Sequence, residues 1–332
     1  MTGLGNGQAT AAARLRSALV TVRREAKRWG YVDRDPSLAA TTLLAGSGRS
    51  GTTWVEEVID RHHDHRVLFE PLRASEEPSI AGMPHGLYLR PDDPAPRWRR
   101  PVEDILRGRV RNRWTDHQNH VVVARRRLVK EIRANPLLPW LAGQFPDVGL
   151  VWLVRHPLAV AASARSLGWD THLDELVRQP DLVADHLEPL LPVIEAVDGP
   201  IERFVAQWCV ENLVPFRMLA PEQVHLVFYE ELVDRPVEVA ADLLRAIGQV
   251  PDDAVRAAVE RPSKLARAES AVVQGGDLLS GWQRSLRPAE ITAAVDLVAA
   301  MGLGAVYGAD LRPDADAGRA LLATPWPIAG SR

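Results

Sequence analysis

Small, hydroxyl-bearing and basic residues lie together directly after a short apolar run near residue 45. The sequence reads GSGRSGTTW over residues 46–54. Small residues let the backbone curl closely around an anion, and the free N–H groups at the start of a following helix point toward it. The segment therefore predicts a loop that holds a phosphate group. The alternative is an ordinary strand-to-helix turn that is rich in small residues and binds no ligand.

The spacing of this loop also limits which phosphate compound it would bind. Gly46 and Gly51 match the first part of a Walker A loop, but the next residue is Thr52 rather than lysine. That lysine reaches the β- and γ-phosphates of a nucleoside triphosphate. The positive charge here lies three residues before Thr52, at Arg49. Ordinary nucleoside triphosphate chemistry is therefore disfavoured.

A second basic residue follows the strongest apolar run of the chain, GLVWLV over residues 149–154. Arg155 comes directly after this run, at the carboxyl end of a predicted strand, where ligands gather in parallel sheets. Ser163 lies eight residues later, in a predicted helix. Because the guanidinium fork suits a phosphate dianion, Arg155 and Ser163 could share one phosphate. Read alone, the pair is better explained as an arginine in a surface ion pair and a serine in a helix turn.

The elements that must position these residues alternate between strands and helices. Short apolar runs predict strands over 41–45, 67–69, 121–132, 149–154 and 224–229. Amphipathic spacing and helix-start signals predict helices over 52–61, 137–145, 159–167, 201–219, 237–247 and 291–301. Such alternation is typical of a parallel sheet covered on both faces, so we expect an α/β fold.

The chain is expected to form one main domain over residues 37–312. Residues 1–36 predict a leader or docking helix, and residues 313–332 predict a C-terminal tail. Residues 75–119 are rich in proline, glycine and arginine. They predict a long irregular insertion or lid with one helix near 102–110.

Composition excludes several functional classes. The 332 residues carry a formal net charge of −3, which gives no general attraction to nucleic acid or anionic membranes. The single cysteine, Cys209, allows neither a disulfide nor a cysteine-based zinc site within the chain. No apolar run approaches the roughly 20 residues that span a bilayer, and no secretory signal is recognisable. These features predict a cytoplasmic protein without a membrane span and leave its oligomeric state open.

The RSGTTW sequence at residues 49–54 resembles the 5′-phosphosulfate loop of sulfotransferases that use 3′-phosphoadenosine-5′-phosphosulfate. Carbohydrate-modifying members begin this loop with arginine, and many cytosolic members begin it with lysine. The resemblance implies a three-layer α/β/α P-loop NTPase-like fold with a central parallel sheet. It also implies that Arg49 meets the sulfuryl oxygens and that Trp54 lies against the adenine. The residues between them would hold the 5′-phosphate: Ser50, Gly51, Thr52 and Thr53.

The second motif agrees with this resemblance. Arg-x-Pro with a serine eight residues after the arginine looks like the 3′-phosphate site of the same family, which assigns Arg155 and Ser163 to that site. This phosphate distinguishes the sulfuryl donor from ATP. The YEEL sequence at 229–232 resembles the family's element near the adenine, which assigns Tyr229 to the nucleotide.

The C-terminal region departs from the family pattern. Cytosolic members carry an Arg-Lys-Gly triplet on the 3′-phosphate, whereas this chain has Gly275-Gly276-Asp277 followed by Trp282-Gln283-Arg284. Lys264 or Arg267 could take over the role of the triplet, and Trp282 is expected to pack in the core. The residues that complete the 3′-phosphate site therefore stay open.

Sulfuryl transfer needs a base for the acceptor and positive charge around the sulfuryl oxygens. Glu70, 21 residues after Arg49, lies in an FEPL sequence that resembles the Glu-Pro-Leu element of carbohydrate sulfotransferases. Glu70 follows a short predicted strand, so we expect it at the ligand edge of the sheet as the general base. A reference pKa of about 4.3 is low for that task, so burial or orientation must help. The alternative is a glutamate that caps or pairs locally.

The LVKEI sequence at 128–132 resembles the strand that carries a catalytic lysine and histidine in cytosolic members. Lys130 matches the lysine, and we expect it to contact the substrate or the sulfuryl group; a plain ion pair is the alternative. Ile132 stands where the histidine would be, so the base must come from elsewhere. Glu131 is a second candidate base after Glu70, although its side chain should face away from Lys130 in a strand.

Three further groups have other interpretations. The HHDH sequence at 62–65 lacks the spacing of a structural metal site and predicts a solvated turn. His172 could face the acceptor. The arginines between 97 and 113 could meet an anionic acceptor or form a solvated face, and their limited aromatic neighbours argue against nucleic acid binding.

Together these motifs predict a sulfotransferase of the EC 2.8.2 class that uses 3′-phosphoadenosine-5′-phosphosulfate as co-substrate and requires no metal. The acceptor would be a hydroxyl or amine of a carbohydrate or small molecule. Two alternatives are a P-loop kinase-like phosphotransferase and a non-catalytic nucleotide-binding protein. The missing lysine after Gly51 and the lack of a convincing magnesium-holding aspartate argue against the first alternative.

Overall fold

The structure is a computed structural model that describes residues 31–260 and 278–324. Its strands alternate with helices along the chain, as the sequence pattern predicts. The strands in these ranges are β1 (Val32–Asp33), β2 (Thr41–Ala45), β3 (His65–Phe69), β4 (Val123–Ala124), β5 (Arg126–Glu131), β6 (Gly149–Val154) and β7 (His225–Phe228).

Five of these strands form one sheet in the order β3-β5-β2-β6-β7. Every pairing within it is parallel, with Leu43 of β2 opposite Val129 of β5 and Leu150 of β6. The prediction of a central parallel sheet is confirmed. Because the strands are parallel, their carboxyl ends lie at one edge, where the following loops can meet.

Alternate residues of β2 belong to two separate hydrophobic cores, one on each face of the sheet. Leu43 packs in a core with Trp152 and Phe216. Leu44, the next residue, packs in a second core with Val58 and Val227. Successive side chains of a strand point to opposite faces, so helices must cover both sides. The three-layer α/β/α arrangement is therefore confirmed.

The helices agree with most of the predicted spans to within a few residues. Those in the described ranges are α1 (Thr52–Ile59), α2 (Arg99–Leu106), α3 (Leu138–Gln144), α4 (Pro157–Ser166), α5 (Leu173–Val177), α6 (Pro180–Leu182), α7 (Leu191–Glu195), α8 (Pro200–Met218), α9 (Tyr229–Asp234), α10 (Pro236–Ala246), α11 (Ala254–Val259), α12 (Gly281–Ser285), α13 (Pro288–Ala300) and α14 (Ala315–Ala323). Short 3₁₀ turns cover Leu38–Ala40, Pro78–Ile80, Asn135–Leu137 and Glu188–Leu190, and a π turn covers Val183–Leu187.

Two predicted elements differ from those observed. The single strand expected over 121–132 is two strands, because the chain bends at Arg125 and only β5 enters the main sheet. β4 instead pairs with β1 in a separate parallel pair. The helix expected near 102–110 covers Arg99–Leu106 and ends before Gly108, whose φ of 66° cannot continue a right-handed helix.

Structured segments also occur outside the predicted main domain. β1 lies before residue 37, and α14 lies after residue 312 and packs against α8. The division of the chain at residues 36 and 312 stays a prediction. Across residues 31–260 and 278–324, no helix combines the length and apolar composition needed to cross a bilayer.

Candidate active site

The loop between β2 and α1, residues 46–51, curls tightly at the carboxyl edge of the sheet. The Ser50 N–H donates to the Ser47 carbonyl at 3.0 Å, which closes a turn. Gly51 has a φ of 102°, and a Cβ there would lie 2.7 Å from ring atoms of Tyr229. Only glycine fits this conformation and this approach. We call residues 46–54 the anion loop.

Two basic side chains that are distant in sequence meet at this loop. The Arg49 Nε donates to Ser163 Oγ at 3.0 Å. The Arg155 Nη1 donates to the backbone carbonyl of Arg49 at 3.1 Å. The Arg155 guanidinium also lies 4.1 Å from the centre of the Tyr229 ring, and Trp54 contacts the same ring edge-on at 5.8 Å. The two predicted nucleotide motifs therefore converge on one place.

These residues line a cleft of about 1700 Å³. The predicted site residues that line it are Arg49, Gly51, Thr52, Thr53, Trp54, Glu70, Lys130, Arg155, Ser163 and Tyr229. Ser50 differs from them, because it is buried within the anion loop and does not line the cleft. The Ser50 Oγ and the Trp54 Nε1 are buried polar atoms with no hydrogen-bond partner among the described residues.

Glu70 is held between two positive charges at the end of β3. Its Oε1 lies 2.9 Å from Lys130 Nζ, and its Oε2 lies 3.0 Å from Arg133 Nη1. The backbone of Glu70 has a φ of 43°, in the left-handed region that side chains other than glycine rarely adopt. The Glu70 N–H donates to the Lys130 carbonyl at 2.7 Å, which fixes this turn against β5. Strained backbone of this kind often occurs at functional sites.

The charge environment of Glu70 differs from the one expected. Burial raises the pKa of the Glu70 carboxyl, but the positive charges of Lys130 and Arg133 outweigh it, and the pKa lies below its ordinary value of 4.5. Glu70 is therefore ionised at neutral pH. The basicity of Glu70 therefore depends on which groups Lys130 and Arg133 contact when substrates bind, and not on burial alone.

Glu131, the second candidate base, is completely buried and does not line the cleft. Its oxygens accept the Leu72 N–H at 2.7 Å and the Ile132 N–H at 2.9 Å. Burial raises the pKa of Glu131 above its ordinary value despite the nearby Arg133. Glu131 therefore holds two backbone segments in place beneath Glu70.

Behind Arg155 lies a group of buried polar residues that we call the brace: His156, Glu230, Trp282 and Tyr307. The Glu230 carboxylate accepts the His156 N–H at 2.8 Å and the Tyr307 hydroxyl at 3.0 Å. The His156 ring stacks on Trp282, with 4.7 Å between centroids. Burial lowers the pKa of His156 to about 4, so the ring is neutral at pH 7. The brace fixes the backbone that carries Arg155.

A family model described as the sulfotransferase family matches residues 42–253. The chain belongs to the sulfotransferase family. The match contains the candidate site residues from the anion loop to Tyr229, whereas Trp282 and Tyr307 of the brace lie beyond it. No curated protein matches the chain in sequence.

Three solved structures that resemble this sulfotransferase are distant from it in sequence. The sulfotransferase domain from the olefin synthase of Synechococcus PCC 7002 is 17% identical, with a TM-score of 0.42 over 76% of this chain and 93% of that chain. The sulfotransferase domain from the curacin biosynthetic pathway is 15% identical, with a TM-score of 0.43 over 78% and 95%. Mouse sulfotransferase SULT7A1 complexed with PAP is 16% identical, with a TM-score of 0.40 over 87% and 88%.

Part of this sulfotransferase's cleft is formed by residues that the sequence motifs do not mark. His85 and Glu211 line it together with His172 and Glu175. Of these, only His172 is expected near the acceptor from the sequence. His85 comes from the irregular segment 75–119 and Glu211 from the middle of α8, so no local spacing relates them to the anion loop.

The remaining predictions have varied outcomes. None of the arginines between 97 and 113 is among the cleft-lining residues of the described chain. Two of them pair locally, Arg107 with Glu103 and Arg109 with Asp104, both at 2.8 Å. Trp282 is buried, as expected, but it also lines the cleft. Lys264, Arg267 and Gly275-Gly276-Asp277 lie outside the described residues.

The HHDH turn is only partly solvated. His62 and His63 each expose 48% of the side chain, but His65 is buried at the start of β3. Within the described chain, one group of potential metal ligands converges there: Asp60, Asp64 and His65. The His65 ring is held by Asp60 at 3.2 Å and by Asp64 at 2.8 Å. None of the three lines the cleft.

Proposed function

We propose that this sulfotransferase moves the sulfuryl group of 3′-phosphoadenosine-5′-phosphosulfate onto a hydroxyl or amine of a carbohydrate or small-molecule acceptor. The observation that carries the proposal is the meeting of Arg49 with Arg155 and Ser163 in one cleft, although each of the latter two lies more than 100 residues from Arg49 in the sequence. One site would thus serve both ends of one adenine nucleotide.

Each part of the nucleotide has a candidate partner. The anion loop would hold the 5′-phosphosulfate, as its curled backbone and the helix start behind it favour. Arg155 and Ser163 would hold the 3′-phosphate, and Trp54 and Tyr229 would contact the adenine. The unpartnered Nε1 of Trp54, which lines the cleft, supports a polar ligand here, because buried polar groups in proteins normally have hydrogen-bond partners.

The chemistry assigns a separate task to each charged residue. When the donor is bound, the acceptor oxygen or nitrogen forms a bond to sulfur while the bond from sulfur to the bridging phosphate oxygen breaks, and the bisphosphate leaves with the electron pair. Glu70 would take the proton that the acceptor loses. Arg49 and Lys130 would balance the charge on the sulfuryl and bridging oxygens, so the proposal needs no metal ion.

Lys130 has a double role in this scheme. Its ammonium lies 2.9 Å from Glu70 and would also approach the sulfuryl oxygens. When it turns toward the donor, Glu70 loses part of its stabilisation as an anion and becomes a stronger base. The pKa of Glu70 would therefore rise when the donor is bound.

Thermal shift measurements test the donor assignment. We expect 3′,5′-adenosine bisphosphate to raise the melting temperature more than adenosine monophosphate, because only the former carries the phosphate assigned to Arg155 and Ser163. ATP with magnesium serves as the comparison for a kinase-like activity. A larger stabilisation by ATP and magnesium than by the bisphosphate would refute the proposal.

Transfer itself is tested with donor that carries labelled sulfate. We expect mass spectrometry to detect labelled product on a member of a library of glycans, lipids and metabolites. Binding of the bisphosphate without transfer to any member would favour a non-catalytic nucleotide-binding protein. A cytoplasmic location belongs to the same proposal, and fractionation of the producing cells would check it.

A further inference from the structure

Two histidine rings stack on each other in the wall of the cleft. The rings of His85 and His172 lie 3.9 Å apart between centroids and are tilted by only 6°. His85 belongs to the irregular segment after β3, and His172 directly precedes α5. Both line the same cleft as the anion loop. We call His85, His172 and their partners Glu175 and Glu211 the histidine wall.

Glu175 fixes both histidines. Its Oε1 lies 2.9 Å from His172 Nδ1, and its Oε2 accepts the backbone N–H of His85 at 3.1 Å. Burial raises the pKa of Glu175, but the hydrogen bonds from His172 and His85 outweigh it, and the pKa lies below its ordinary value of 4.5. An ionised carboxylate only accepts hydrogen bonds, so His172 Nδ1 carries the proton. In the neutral form of the ring, His172 Nε2 is then left with its lone pair.

A chain of hydrogen bonds connects the histidine wall to the anion loop. The backbone N–H of His172 donates to Gln207 Oε1 at 2.7 Å, and Gln207 Nε2 donates to Glu211 Oε1 at 2.7 Å. Ser47 Oγ donates to Glu211 Oε2 at 2.6 Å. The side chains of Gln207 and Glu211 come from one helix, α8, so this connection is short and rigid. The wall therefore has a defined position relative to the site proposed for the donor.

The charge of this part of the cleft favours one kind of acceptor group. The cleft-lining residues between 163 and 211, all within the described chain, include the acidic Asp170, Glu175 and Glu211 but no lysine or arginine. Trp169, which is 43% exposed, offers an aromatic face beside the anion loop, 5.9 Å from the Arg49 guanidinium, whose charge is assigned to the donor. An anionic group would be repelled here, whereas a group that donates hydrogen bonds would be stabilised.

We propose that His172 binds the acceptor, its Nε2 accepting a hydrogen bond from a hydroxyl or ammonium group near the position that becomes sulfated. His172 is a binding and positioning residue, and the proton lost in the reaction still goes to Glu70. The inference rests on the proposed function, because it needs the donor in the same cleft. It adds that acceptors are neutral polyhydroxyl compounds or amines, and that anionic acceptors are excluded.

Binding of three matched probes tests this selectivity. The probes are the p-nitrophenyl β-glycosides of glucose, 2-amino-2-deoxyglucose and glucuronic acid, titrated into the full chain saturated with 3′,5′-adenosine bisphosphate. We expect the neutral and amino glycosides to bind about tenfold more tightly than the glucuronide. Equal or tighter binding of the glucuronide, or binding of none of the three, would contradict the proposal.

Substitution of His172 tests the contact itself. His172→Phe keeps a ring that can stack on His85 but removes both nitrogens, and we expect it to weaken glucoside binding about tenfold. His172→Gln places an amide near the Nε2 position and should recover part of the loss. The matched control is His62→Phe, because His62 also pairs with a carboxylate, Asp252 at 2.6 Å, but lies outside the cleft.

A spectroscopic readout separates binding from folding. In ¹⁵N spectra of the histidine rings, the His172 Nε2 signal, assigned by its loss in His172→Phe, should shift when the glucoside is added. A purely structural His172 would show no shift, which would overturn the inference. Bisphosphate affinity is measured in the same samples. Failure of the bisphosphate to bind better than adenosine monophosphate would remove the proposed function, whereas normal bisphosphate binding with an unmoved His172 signal would remove only this inference.

Discussion

The anion loop and the histidine wall share one cleft but are built from different kinds of backbone. The anion loop, Arg155 and Tyr229 each follow a strand of the central sheet, so the parallel register places them side by side. The histidine wall instead joins a long irregular segment, the start of a short helix and the middle of α8. The first region depends on the sheet, and the second depends on tertiary contacts that the sheet does not determine.

This difference suggests a division of labour. A site built on strand ends is rigid and suits the constant part of a reaction, which here is the proposed donor. A site built on loops tolerates changes in sequence and length, so it suits the part that varies between enzymes. In this chain the two regions are joined through Glu211, which binds the anion loop and contacts His85.

The largest expected effect comes from Glu70, which lines the same cleft as both regions. Glu70→Gln keeps the size of the side chain but removes its charge, so turnover should fall by about 1,000-fold because the base is lost. Bisphosphate binding should stay unchanged, as calorimetry would show. Glu76→Gln, in an exposed position nearby, is the control. Turnover of Glu70→Gln close to that of the control would remove the assignment.

Loss of Arg155 should affect the donor region alone. Arg155→Met should weaken bisphosphate binding by about 30-fold, because a charge-assisted contact to the 3′-phosphate is lost. Binding of adenosine monophosphate should change little, since it lacks that phosphate. Arg245→Met, at an exposed arginine paired with Asp242, controls for the loss of surface charge. An equal loss of affinity for both nucleotides would show that Arg155 does not bind the 3′-phosphate.

The pH dependence of turnover tests the coupling of Glu70 to Lys130. The pKa of Glu70 in the donor-free protein lies below 4.5. The acid limb of kcat/KM for the donor, which reports the donor-free enzyme, should therefore lie below pH 4.5. Lys130→Met removes the charge that contributes most to lowering the pKa of Glu70. Burial then raises that pKa, and the acid limb should move to higher pH. An acid limb that stays in place would show that Lys130 does not control Glu70.

The smallest effect is expected from the brace. Tyr307→Phe removes one of the two hydrogen bonds described for the buried Glu230 carboxylate and should lower the free energy of unfolding by about 1–2 kcal/mol. Bisphosphate affinity should also fall a few-fold, because the backbone of Arg155 is less firmly held. Tyr88→Phe loses a similar bond to Asp185, at 2.9 Å, and should lower stability without changing nucleotide affinity. Identical nucleotide affinity in both variants would contradict a role of the brace.

Much of the fold could be predicted from the sequence, because local signals were strong. The strands at Thr41–Ala45 and Gly149–Val154 agree with their apolar runs residue for residue. Pro157 marks the start of its helix as its fixed φ favours. The strand over 121–132 was harder to predict, because apolar patterning does not reveal that the segment before Arg125 pairs in one sheet and the segment after it pairs in another.

Residues of the candidate site could be predicted from the sequence only where they belong to a recognisable motif. Arg49, Arg155 and Tyr229 each sit next to a strand end with recognisable neighbours. Arg133 was missed, although it lies 3.0 Å from Glu70, because nothing in the local sequence distinguishes it from many other arginines. The lowered pKa of Glu70 was also missed, because it depends on the positive charges of both Lys130 and Arg133.

The brace also determines where the chain can be shortened. The family match ends at residue 253, yet Trp282 stacks on His156, Glu290 pairs with Arg165, and Tyr307 supports Glu230. A fragment cut at the end of the match would retain every motif of the proposed donor site but would expose the buried side of the segment that carries Arg155. Any minimal version of this enzyme must therefore extend at least through Asp310, whose carbonyl accepts the His156 ring N–H.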